Sequence, residues 1–523
     1  MGVKRESLGK LLVVCKESYT YPMAALTSEL LNKGYEVEAI FVHPAETTLK
    51  NHSYVSFKAE HNIPIHTFDD ELEFFCTNYK RASEFLESDY LRRVEKSYME
   101  KIPIGLVLMS SQLFTTAYHS RSYFQDLDYS QQLFWLQLVL KKVEKILFEG
   151  GYSRILDIDI SELGRTCLSL VSDSINVPYV TLESSRYKSI FLPTRTMGRF
   201  VDQYFLSSYL SGVAPTSRSI DEVLDFKKAK NIMVPDYDFN STSRKTLSVL
   251  LRVRAFMSRL RALTEQWIEN RSHYYVFKKK PMLASLMDSY WFFTKWFVRD
   301  ILLSSKSNRY FSKPDLSRDY LYFPLHLIPE STTLVKAPFY PNEVSVIEAI
   351  SKALPLGMML LVKEHPAMIG EREFSVYKRI LRLPNVKIID PSAGTEVKEM
   401  ILQSRGVVTL TGTSAFEAAM LGRPAIMFGT SFFEVIKGIH KVDSFDKLPQ
   451  IIRQMINTPL DNIASCAKYI DCLNEYGRVF PMAEVLERSR DFAYDKSDSG
   501  SFLETHIGAL ADLLLTDVQE NKL

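Results

Sequence analysis

Three ionisable side chains stand together where a short apolar run ends in the second half of the chain. Lys363, Glu364 and His365 follow the apolar residues 359–362, and Pro366 comes next. Because a proline restricts the residue before it to extended conformations, we expect the strand to stop at His365, with the imidazole at its carboxyl end. An isolated His-Pro pair is more often a cap in a strand-to-helix loop. Three ionisable groups at one strand end are harder to explain by packing, and they favour a binding site.

A second candidate site is the turn Thr411, Gly412, Thr413 and Ser414, which follows another apolar run and opens a predicted helix. A glycine and three hydroxyls at a helix N-terminus offer backbone N–H groups, side-chain donors and a favourable dipole, so the turn could bind a phosphate. The hydroxyls could instead cap the helix and bind nothing. Glu417 lies one turn into the helix, where its carboxylate could accept hydrogen bonds from both hydroxyls of a ribose.

The elements that must position these residues alternate along the chain. Short apolar runs alternate with amphipathic stretches of helix length at both ends, which is typical of parallel sheets covered by helices. In the first half we predict strands Lys10–Cys15, Glu36–Phe41, Ile104–Met109, Arg154–Asp157 and Tyr179–Leu182, and helices such as Met23–Asn32 and Gln131–Glu149. In the second half we predict strands Tyr320–Phe323, Met358–Val362, Val386–Ile389, Gly406–Leu410 and Ala425–Phe428, and helices near Asn342–Ala353, Thr395–Gln403 and Ser414–Leu421.

This pattern predicts an α/β protein with two Rossmann-like units. Paired units of this kind bind ligands in the cleft between them, at the carboxyl ends of their strands. His365 and Thr413 follow strands that are separated by one strand-helix unit, so both can approach one another at the edge of a single sheet.

Between the two units, the alternation gives way to a helical, basic and aromatic segment. We therefore divide the chain into residues 1–218, 219–314, 315–480 and 481–523: a first unit, an inserted helical segment, a second unit and C-terminal helices. In the insertion, aromatic residues surround Lys278–Lys280, which suits peripheral contact with an anionic membrane. The same aromatics could pack the insertion onto the units, and the lysines could bind an anionic polysaccharide. The aromatic residues are Tyr274, Tyr275, Phe277, Trp291, Phe292, Phe293, Trp296 and Phe297.

The composition excludes several classes of protein. The 523 residues carry a formal net charge of +2 and are 46% hydrophobic, which is typical of a folded chain and argues against a nucleic-acid binder. The five cysteines are scattered and match neither a disulfide framework nor zinc-ligand spacing, so a reducing compartment fits best. No glycine-rich loop follows the first predicted strand, which argues against NAD and FAD, and we predict no cofactor. No uncharged apolar run is long enough to span a bilayer, so the predicted location is the cytoplasm.

Four segments resemble a known family. They are PLHLIPEST (324–332), VKEHP (362–366), the residues 384–386 and TGTSAFEAAMLGRPAIMFG (411–429). Together they resemble the capsular polysaccharide biosynthesis glycosyltransferases, a group that includes bacterial Kdo transferases. The resemblance covers residues 320–438 well and the first half only by general pattern. It implies a GT-B fold, in which two Rossmann-like domains face each other across a cleft, with the nucleotide sugar on the second domain and the acceptor on the first.

The resemblance also assigns roles at the two candidate sites. In related HP-motif transferases, a His-Pro pair and a later Ser/Thr pair hold the phosphate of a CMP-sugar, which implies that role for His365 with Pro366 and for Thr413 with Ser414. Glu417 matches the acidic residue placed against the ribose, and Lys363 could neutralise a phosphate or a sugar carboxylate. The implied donor-binding residues are Glu330, Lys363, Glu364, His365, Pro366, Gly412, Thr413, Ser414 and Glu417.

Candidates for the catalytic acid or base lie at other predicted strand ends, where a carboxylate could deprotonate an acceptor hydroxyl. Each could equally be a helix cap or part of a loop salt bridge. The spacing of Asp157 and Asp159 resembles a metal-binding pair of other transferases, but one pair in a charged loop is weak evidence, and we predict no metal. Arg186 follows the same strand as Glu183. The catalytic candidates are Glu17, Asp157, Asp159, Glu183 and His326.

These observations predict a metal-independent glycosyltransferase of bacterial surface polysaccharide assembly. It would transfer a sugar from a nucleotide donor to a glycan or lipid-linked acceptor, with CMP-sugars favoured over UDP- and GDP-sugars. It would work in the cytoplasm, at the inner face of the cell membrane. Two alternatives share the expected fold. One is a UDP-sugar 2-epimerase, and the other is a non-catalytic scaffold or sensor that binds the donor without turnover.

Overall fold

The computed structural model describes residues 8–99, 102–111, 113–114, 127–160, 163–195, 197, 201–229, 249–269, 282–303, 309–328, 330–390, 396–495 and 500–516. Its strands are β1 (Lys10–Cys15), β2 (Glu36–Phe41), β3 (Ile65–His66), β4 (Arg154–Leu156), β5 (Tyr179–Ser184), β6 (Ile190–Thr194), β7 (Tyr320–Pro324), β8 (Met359–Lys363), β9 (Val386–Ile389), β10 (Gly406–Thr409), β11 (Ala425–Met427), β12 (Ile439–Lys441) and β13 (Arg478–Val479).

The helices of the first half are α1 (Thr20–Lys33), α2 (Pro44–Thr48), α3 (His52–Glu60), α4 (Asp69–Asn78), α5 (Ala82–Phe85), α6 (Ser88–Tyr98), α7 (Ile104–Met109), α8 (Tyr129–Gly150), α9 (Leu163–Ser174), α10 (Gln203–Leu210), α11 (Ser217–Lys228) and α12 (Val249–Glu269). Those that follow are α13 (Met282–Leu303), α14 (Ser331–Lys336), α15 (Glu343–Ala353), α16 (Phe374–Ile380), α17 (Val397–Gln403), α18 (Thr413–Met420), α19 (Leu448–Asn457), α20 (Ile463–Tyr476), α21 (Met482–Asp495) and α22 (Gly500–Leu515).

The strands form two sheets. The first has the order β13-β6-β5-β4-β1-β2-β3, in which β3, β2, β1, β4 and β5 run parallel and β6 is antiparallel to both of its neighbours. The second has the order β12-β11-β10-β7-β8-β9 and is parallel throughout. The predicted α/β fold of two Rossmann-like units is confirmed.

Both faces of each sheet are buried, which explains why the strands read as continuous apolar runs. In β1, Leu12 and Val14 belong to one buried cluster, while Leu11 and Val13 belong to a cluster on the other face. In the second sheet, Tyr322 of β7 and its neighbour Phe323 likewise point into two separate cores. Helices on both faces of each sheet supply the remaining members of these clusters.

One predicted strand is wrong, because residues 104–109 form the helix α7. Ile104, Val107 and Leu108 are buried, whereas Met109 is exposed. Burial at the first, fourth and fifth positions is the period of a helix face and not of a strand. A short apolar run does not distinguish these two possibilities by itself, and the extended Pro103 before it acts as the N-cap.

The end of the chain returns to the first unit. β13 pairs with β6, and Val485, Leu510 and Leu514 of the last two helices lie in the same buried cluster as β1. The described parts of the inserted segment contain the helices α12 and α13 and most of α11, whereas Tyr274, Tyr275, Phe277 and Lys278–Lys280 fall outside the described residues.

The carboxyl edges of the two sheets face each other. Glu183 is the last residue but one of β5. It accepts a hydrogen bond of 2.5 Å from Lys336, the last residue of the helix that follows β7. Nearby, the hydroxyl of Tyr469 in α20 donates to the carbonyl of Ser185, at 3.0 Å. The two units therefore contact each other near the end of β5 and at the end of the helix that follows β7.

A buried ion pair closes the carboxyl end of β4. Arg165 has no exposed side-chain surface and binds Asp157 through Nε at 2.6 Å and Asp159 through Nη1 at 2.8 Å. Asp157 also accepts from the hydroxyl of Tyr179, at 2.5 Å, and from the backbone N–H of Ile158, at 2.7 Å. One guanidinium binds both carboxylates and fixes the loop between β4 and α9, while burial raises the pKa of Asp157, an effect that Arg165 opposes.

Replacement of Arg165 should therefore strongly destabilise the first unit. Arg165→Met would leave a buried carboxylate without its partner, and we expect the free energy of unfolding to fall by about 3–5 kcal/mol. Urea denaturation measures this loss. Arg92→Met removes an exposed arginine that pairs with Asp89, and it should change the stability by less than about 1 kcal/mol. Equal losses in both variants would contradict a supporting role for the buried pair.

Candidate functional site

Three neighbouring strands of the second sheet bring the predicted residues together. β7 lies between β8 and β10, and all three run parallel, so their carboxyl ends share one edge. His326 follows β7, the Lys363–His365 group ends β8, and the Gly412–Ser414 turn follows β10. We call this arrangement the donor edge.

His326 holds the donor edge together from its centre. Its Nδ1 lies 2.9 Å from Oε1 of Glu343 and its Nε2 lies 2.8 Å from the hydroxyl of Thr409. Because a carboxylate only accepts, Nδ1 donates to Glu343, while Nε2 shares a hydrogen bond with the hydroxyl of Thr409, whose oxygen accepts from the N–H of Gly412 at 2.9 Å. Both ring nitrogens are occupied, so His326 has a supporting position and no free nitrogen for proton transfer with a substrate.

Glu364 also supports the site from below. Its Oε2 accepts from Nε of Arg372 at 2.9 Å and from the hydroxyl of Tyr377 at 2.7 Å, and its Oε1 accepts from the backbone N–H of His365 at 2.7 Å. Arg372 reaches further, to Oε2 of Glu343 at 2.9 Å and to the carbonyl of His326 at 3.0 Å. Glu364 is fully buried among these partners, so it orients the His-Pro turn and does not itself face a ligand.

His365 presents one neutral donor. Its Nδ1 accepts from the backbone N–H of Ala367, at 3.2 Å, and so caps the short helical turn Pro366–Met368. Burial, with His326 and Arg372 close by, lowers the pKa of His365 to about 4, so the ring is neutral at pH 7. With Nδ1 as the acceptor, the proton resides on Nε2. In the described part of the chain, Nε2 has no hydrogen-bond partner and is available to donate.

The N-terminus of α18 is not capped by a side chain. Gly412 is the N-cap residue, and neither Thr413 nor Ser414 caps the helix, in contrast to the alternative considered from the sequence. The hydroxyl of Ser414 is buried and has no hydrogen-bond partner among the described residues. A buried hydroxyl without a partner beside uncapped amide groups is an arrangement that suits a bound anion.

Gly412 is required by close packing and not by its backbone conformation. Its φ is −74°, which any residue adopts. A Cβ atom at this position would lie 2.5 Å from the hydroxyl oxygen of Thr409 and 3.1 Å from Nε2 of His326. The glycine therefore lets the turn approach the buried hydrogen-bond chain.

Glu417 faces the first unit from the second turn of α18. Its side chain is partly buried, and burial raises the pKa of its carboxyl to about 7, an effect that Arg186 partly offsets. Arg186 follows β5 in the first unit and has a φ of +65°. The acidic group predicted to bind a ribose thus sits where the two units meet.

Glu183 and Lys336 form a second contact between the units, and both side chains are almost completely buried. Burial lowers the pKa of Lys336, while Glu183 opposes this shift. Glu330 is the N-cap residue of α14, and its negative charge also opposes the lowering of the Lys336 pKa. Among the predicted catalytic residues, Glu183 is the one that the structure brings against the second unit.

Glu17 lies at the carboxyl edge of the first sheet. Its side chain is exposed, its φ is +46°, and its backbone N–H donates to Oε2 of Glu46 at 2.8 Å. Glu46 is fully buried, accepts from the hydroxyl of Ser53 at 2.6 Å, and has a pKa raised by that burial. Asp157 and Asp159 are held by Arg165, as described above. No group of three or more side chains able to hold a metal ion occurs within the described ranges.

Comparison with known proteins identifies the segment that carries the donor edge. Residues 339–448 match the family described as "Capsule polysaccharide biosynthesis protein". This segment resembles that family, as the sequence predicted. It contains the His-Pro turn and α18, but not PLHLIPEST. No curated protein matches the chain.

Solved structures that match the chain include two KpsC transferases of Thermosulfurimonas dismutans. The β-Kdo 2,7 transferase is 11% identical, covers 71% of this chain and 87% of its own, and has a TM-score of 0.29. The β-Kdo 2,4 transferase is 13% identical, with coverages of 61% and 79% and a TM-score of 0.31. The UDP-GlcNAc 2-epimerase of Methanocaldococcus jannaschii, in complex with UDP-GlcNAc and UDP, is 13% identical, with coverages of 89% and 99% and a TM-score of 0.27. The superpositions are loose, and the description of the fold rests on the strand order given above.

Sequence reasoning missed the residues that support the capsule-family segment. Arg372 and Glu343 connect the ends of β7 and β8, Thr409 connects β10 to His326, and Lys336 crosses to the first unit. None of these residues has a distinctive spacing. Glu343 opens a predicted helix, where an acidic residue is common for other reasons, and a lysine in a last helical turn is equally ordinary.

Substitution of Gly412 tests the packing of the donor edge. Gly412→Ala should displace Thr409 and lower the free energy of unfolding by about 1–3 kcal/mol. Urea unfolding compares it with Gly105→Ala, where an added Cβ meets nothing within 4 Å and should be neutral or stabilising. An equally stable Gly412→Ala protein would contradict the close approach.

Glu417 should make the stability of the protein depend on pH. The folded protein holds the carboxyl proton up to about pH 7, whereas the ordinary value is 4.5, so the wild type loses stability as the pH rises between these values. Glu417→Gln should be more stable than the wild type by about 1–2 kcal/mol at pH 8 and similar to it at pH 4.5, in urea titrations at both values.

The matched control is Glu348→Gln. Glu348 is paired with Arg379, which lowers its pKa, so this variant should gain no stability at pH 8. A Glu417→Gln protein whose stability difference from the wild type is the same at both pH values would show that the carboxyl titrates normally.

Proposed function

We propose that this chain is a glycosyltransferase of surface, capsular-type polysaccharide assembly, which transfers a sugar from a nucleotide donor to a glycan or lipid-linked acceptor. The observation that carries the proposal is that, within the capsule-family segment, His365 and the N-terminus of α18, which no side chain caps, follow strands that end at the same edge of the second sheet. At that helix end, the Ser414 hydroxyl has no hydrogen-bond partner among the described residues.

The donor edge would bind the phosphate that links sugar and nucleotide. His365 would donate from Nε2, and α18 would contribute its first amide groups and the hydroxyls of Thr413 and Ser414. Lys363, at the end of β8, would add positive charge. As the bond to the sugar breaks, negative charge develops on the leaving phosphate oxygen, and fixed donors stabilise that charge without having to reorganise.

Glu417 would bind the ribose. Ribose hydroxyls donate to the ionised carboxylate, so bound nucleotide favours loss of the proton that burial otherwise retains. Nucleotide affinity should therefore increase as the pH rises through about 7. The likeness of the His-Pro turn to that of HP-motif transferases favours a CMP-sugar as the donor, with UDP- and GDP-sugars as alternatives.

Glu183 is our candidate for the base that deprotonates the acceptor hydroxyl. It comes from the first unit, and its carboxylate contacts the ammonium group of Lys336 in the second unit. Glu17 also lies at a strand end of the first sheet, but its exposed side chain has no comparable contact with the second unit among the bonds described above.

Turnover measurements test this function. The protein is incubated with CMP-, UDP- and GDP-sugars, with and without acceptor glycan, and released nucleotide and altered sugar are quantified. We expect nucleotide release that requires the acceptor and that continues when a chelator is present. Altered sugar without an acceptor would indicate an epimerase, and donor binding without a product would indicate a scaffold. Activity abolished by the chelator and restored by Mn²⁺ or Mg²⁺ would contradict metal independence.

Calorimetry on variants assigns the site. His365→Ala and Ser414→Ala should each weaken nucleotide binding, by about 10- to 150-fold for loss of a hydrogen bond to a charged group. Glu183→Gln should abolish turnover and retain nucleotide affinity. His506→Ala is the control, because that ring lies in α22, where it pairs with the carbonyl of Phe502 and stacks on the Phe502 ring. Unchanged nucleotide affinity in both donor-edge variants would refute the assignment.

A further inference from the structure

The helices α12 and α13 form an antiparallel pair. Phe256 stacks on Phe297 with ring centres 4.5 Å apart, and Arg252 binds Asp300 at 2.7 Å. Further along, the hydroxyls of the side chains of Thr264 and Tyr290 are 2.5 Å apart. These contacts occupy the inner face of α12 and one side of α13.

A second side of α13 packs on the second unit. Leu303 is buried in a core cluster of the second unit, and Nη1 of Arg299 donates to the carbonyl of Glu371 at 3.1 Å. Gly370 lies against the backbone carbonyl of Trp296, so close that an added Cβ would be 3.0 Å from it. The pair therefore rests on the loop that follows the His-Pro turn of the donor edge.

The opposite face of α13 is a stripe of large apolar side chains in solvent. Met287, Trp291, Val298 and Leu302 are 57%, 61%, 47% and 52% exposed. Their spacings of four, seven and four residues place them on one side of a helix, away from Phe293. α12 adds a second exposed set, made up of Leu250, Val253, Met257 and Ile268. Exposed apolar residues in such continuous sets mark an interaction surface.

In the helix pair, acidic side chains are bound to arginines, whereas an arginine and a lysine are exposed to solvent. Asp300 is bound to Arg252, and Glu265 is bound to Arg261. Arg254 is exposed and has no such partner in the described ranges, and α12 carries four arginines against two glutamates. On α13, the ammonium group of the exposed Lys295 lies 5.0 Å above the ring of Trp291. Lys295 thus places positive charge beside the apolar stripe, and α12 adds a formal net charge of 4 − 2 = +2.

We propose that the exposed face of α12 and α13 docks onto an anionic lipid bilayer surface. An apolar face that includes a tryptophan, bordered by arginine and lysine, suits the boundary between lipid headgroups and acyl chains. The pair would lie on the surface. No helix in the described ranges is long and apolar enough to cross a bilayer. A second copy of the same face is disfavoured as the occupant, because it would bring the arginines of two chains together.

This surface does not depend on the function proposed above, since lipid binding requires no nucleotide. If both proposals hold, docking would position the donor edge close to the membrane, because Glu371 joins α13 to the loop that carries Arg372. The donor edge could then reach a lipid-linked acceptor while the lipid of that acceptor stays in the bilayer.

Vesicle co-sedimentation of the full chain tests the docking surface. Vesicles of phosphatidylcholine alone are compared with vesicles that contain phosphatidylglycerol, at low and at high salt. We expect binding to the anionic vesicles that weakens with salt. The variant Trp291→Glu/Val298→Glu should bind at least about tenfold more weakly, because it adds two negative charges to the apolar stripe.

Leu356→Glu is the matched control, since Leu356 is fully exposed on the loop before β8, outside the pair. It should bind vesicles like the wild type, and circular dichroism should give the same helix content for all three proteins. Failure to bind either kind of vesicle, or equal losses in both variants, would overturn the proposal. A dimer that dissociates in the Trp291→Glu/Val298→Glu variant, without vesicle binding, would replace the lipid with a second copy.

Discussion

The donor edge depends on one buried guanidinium. Arg372 binds Glu364 below the His-Pro turn, Glu343 at the start of α15, and the backbone carbonyl of His326 after β7. Each of these carboxylates would be costly to bury alone, and their shared arginine offsets that cost while fixing two strand ends relative to each other. Burial by itself would raise the pKa of Glu343, but Arg372 and His326 hold it below its ordinary value, so the carboxylate stays ionised and keeps His326 in one tautomer.

Arg372 and its partners support the donor edge, whereas other groups of the donor edge have unused hydrogen-bonding capacity. Among the described residues, the neutral ring of His365 has no partner at its Nε2–H, and the hydroxyl of Ser414 has none either. Burial raises the pKa of Glu417 to about 7, an effect that Arg186 partly offsets. A preorganised binding site requires supporting groups whose hydrogen bonds are made within the protein, and binding groups whose hydrogen bonds are left for the ligand. Because the supporting residues hold the hydrogen-bond donors in place, ligand binding does not carry the entropic cost of ordering them.

The two units act on the site together. Lys336 reaches Glu183, and Arg186 influences the carboxyl of Glu417, so each unit changes the electrostatics of residues in the other. Two features connect the units. The C-terminal helices pack against the first sheet, and the hydroxyl of Tyr469 donates to the carbonyl of Ser185. The face proposed for lipid is attached to the same framework, through Arg299 and the loop beside Arg372.

The sequence alone predicted the central parallel strands of both sheets, because strands buried on both faces are apolar at successive positions. It also located the donor edge, because proline and glycine mark where strands stop. It could not separate helix from strand at residues 104–109, where the apolar run is too short to have a period. Only the tertiary structure decided which ionisable groups remain available. His326, Glu364 and Asp157 resembled site residues until partners from distant elements occupied their hydrogen-bonding atoms. Within the described part of the chain, Nε2 of His365 and the hydroxyl of Ser414 have no such partner. Such partners are set by how helices and strands pack, and residue spacing along the chain does not encode them.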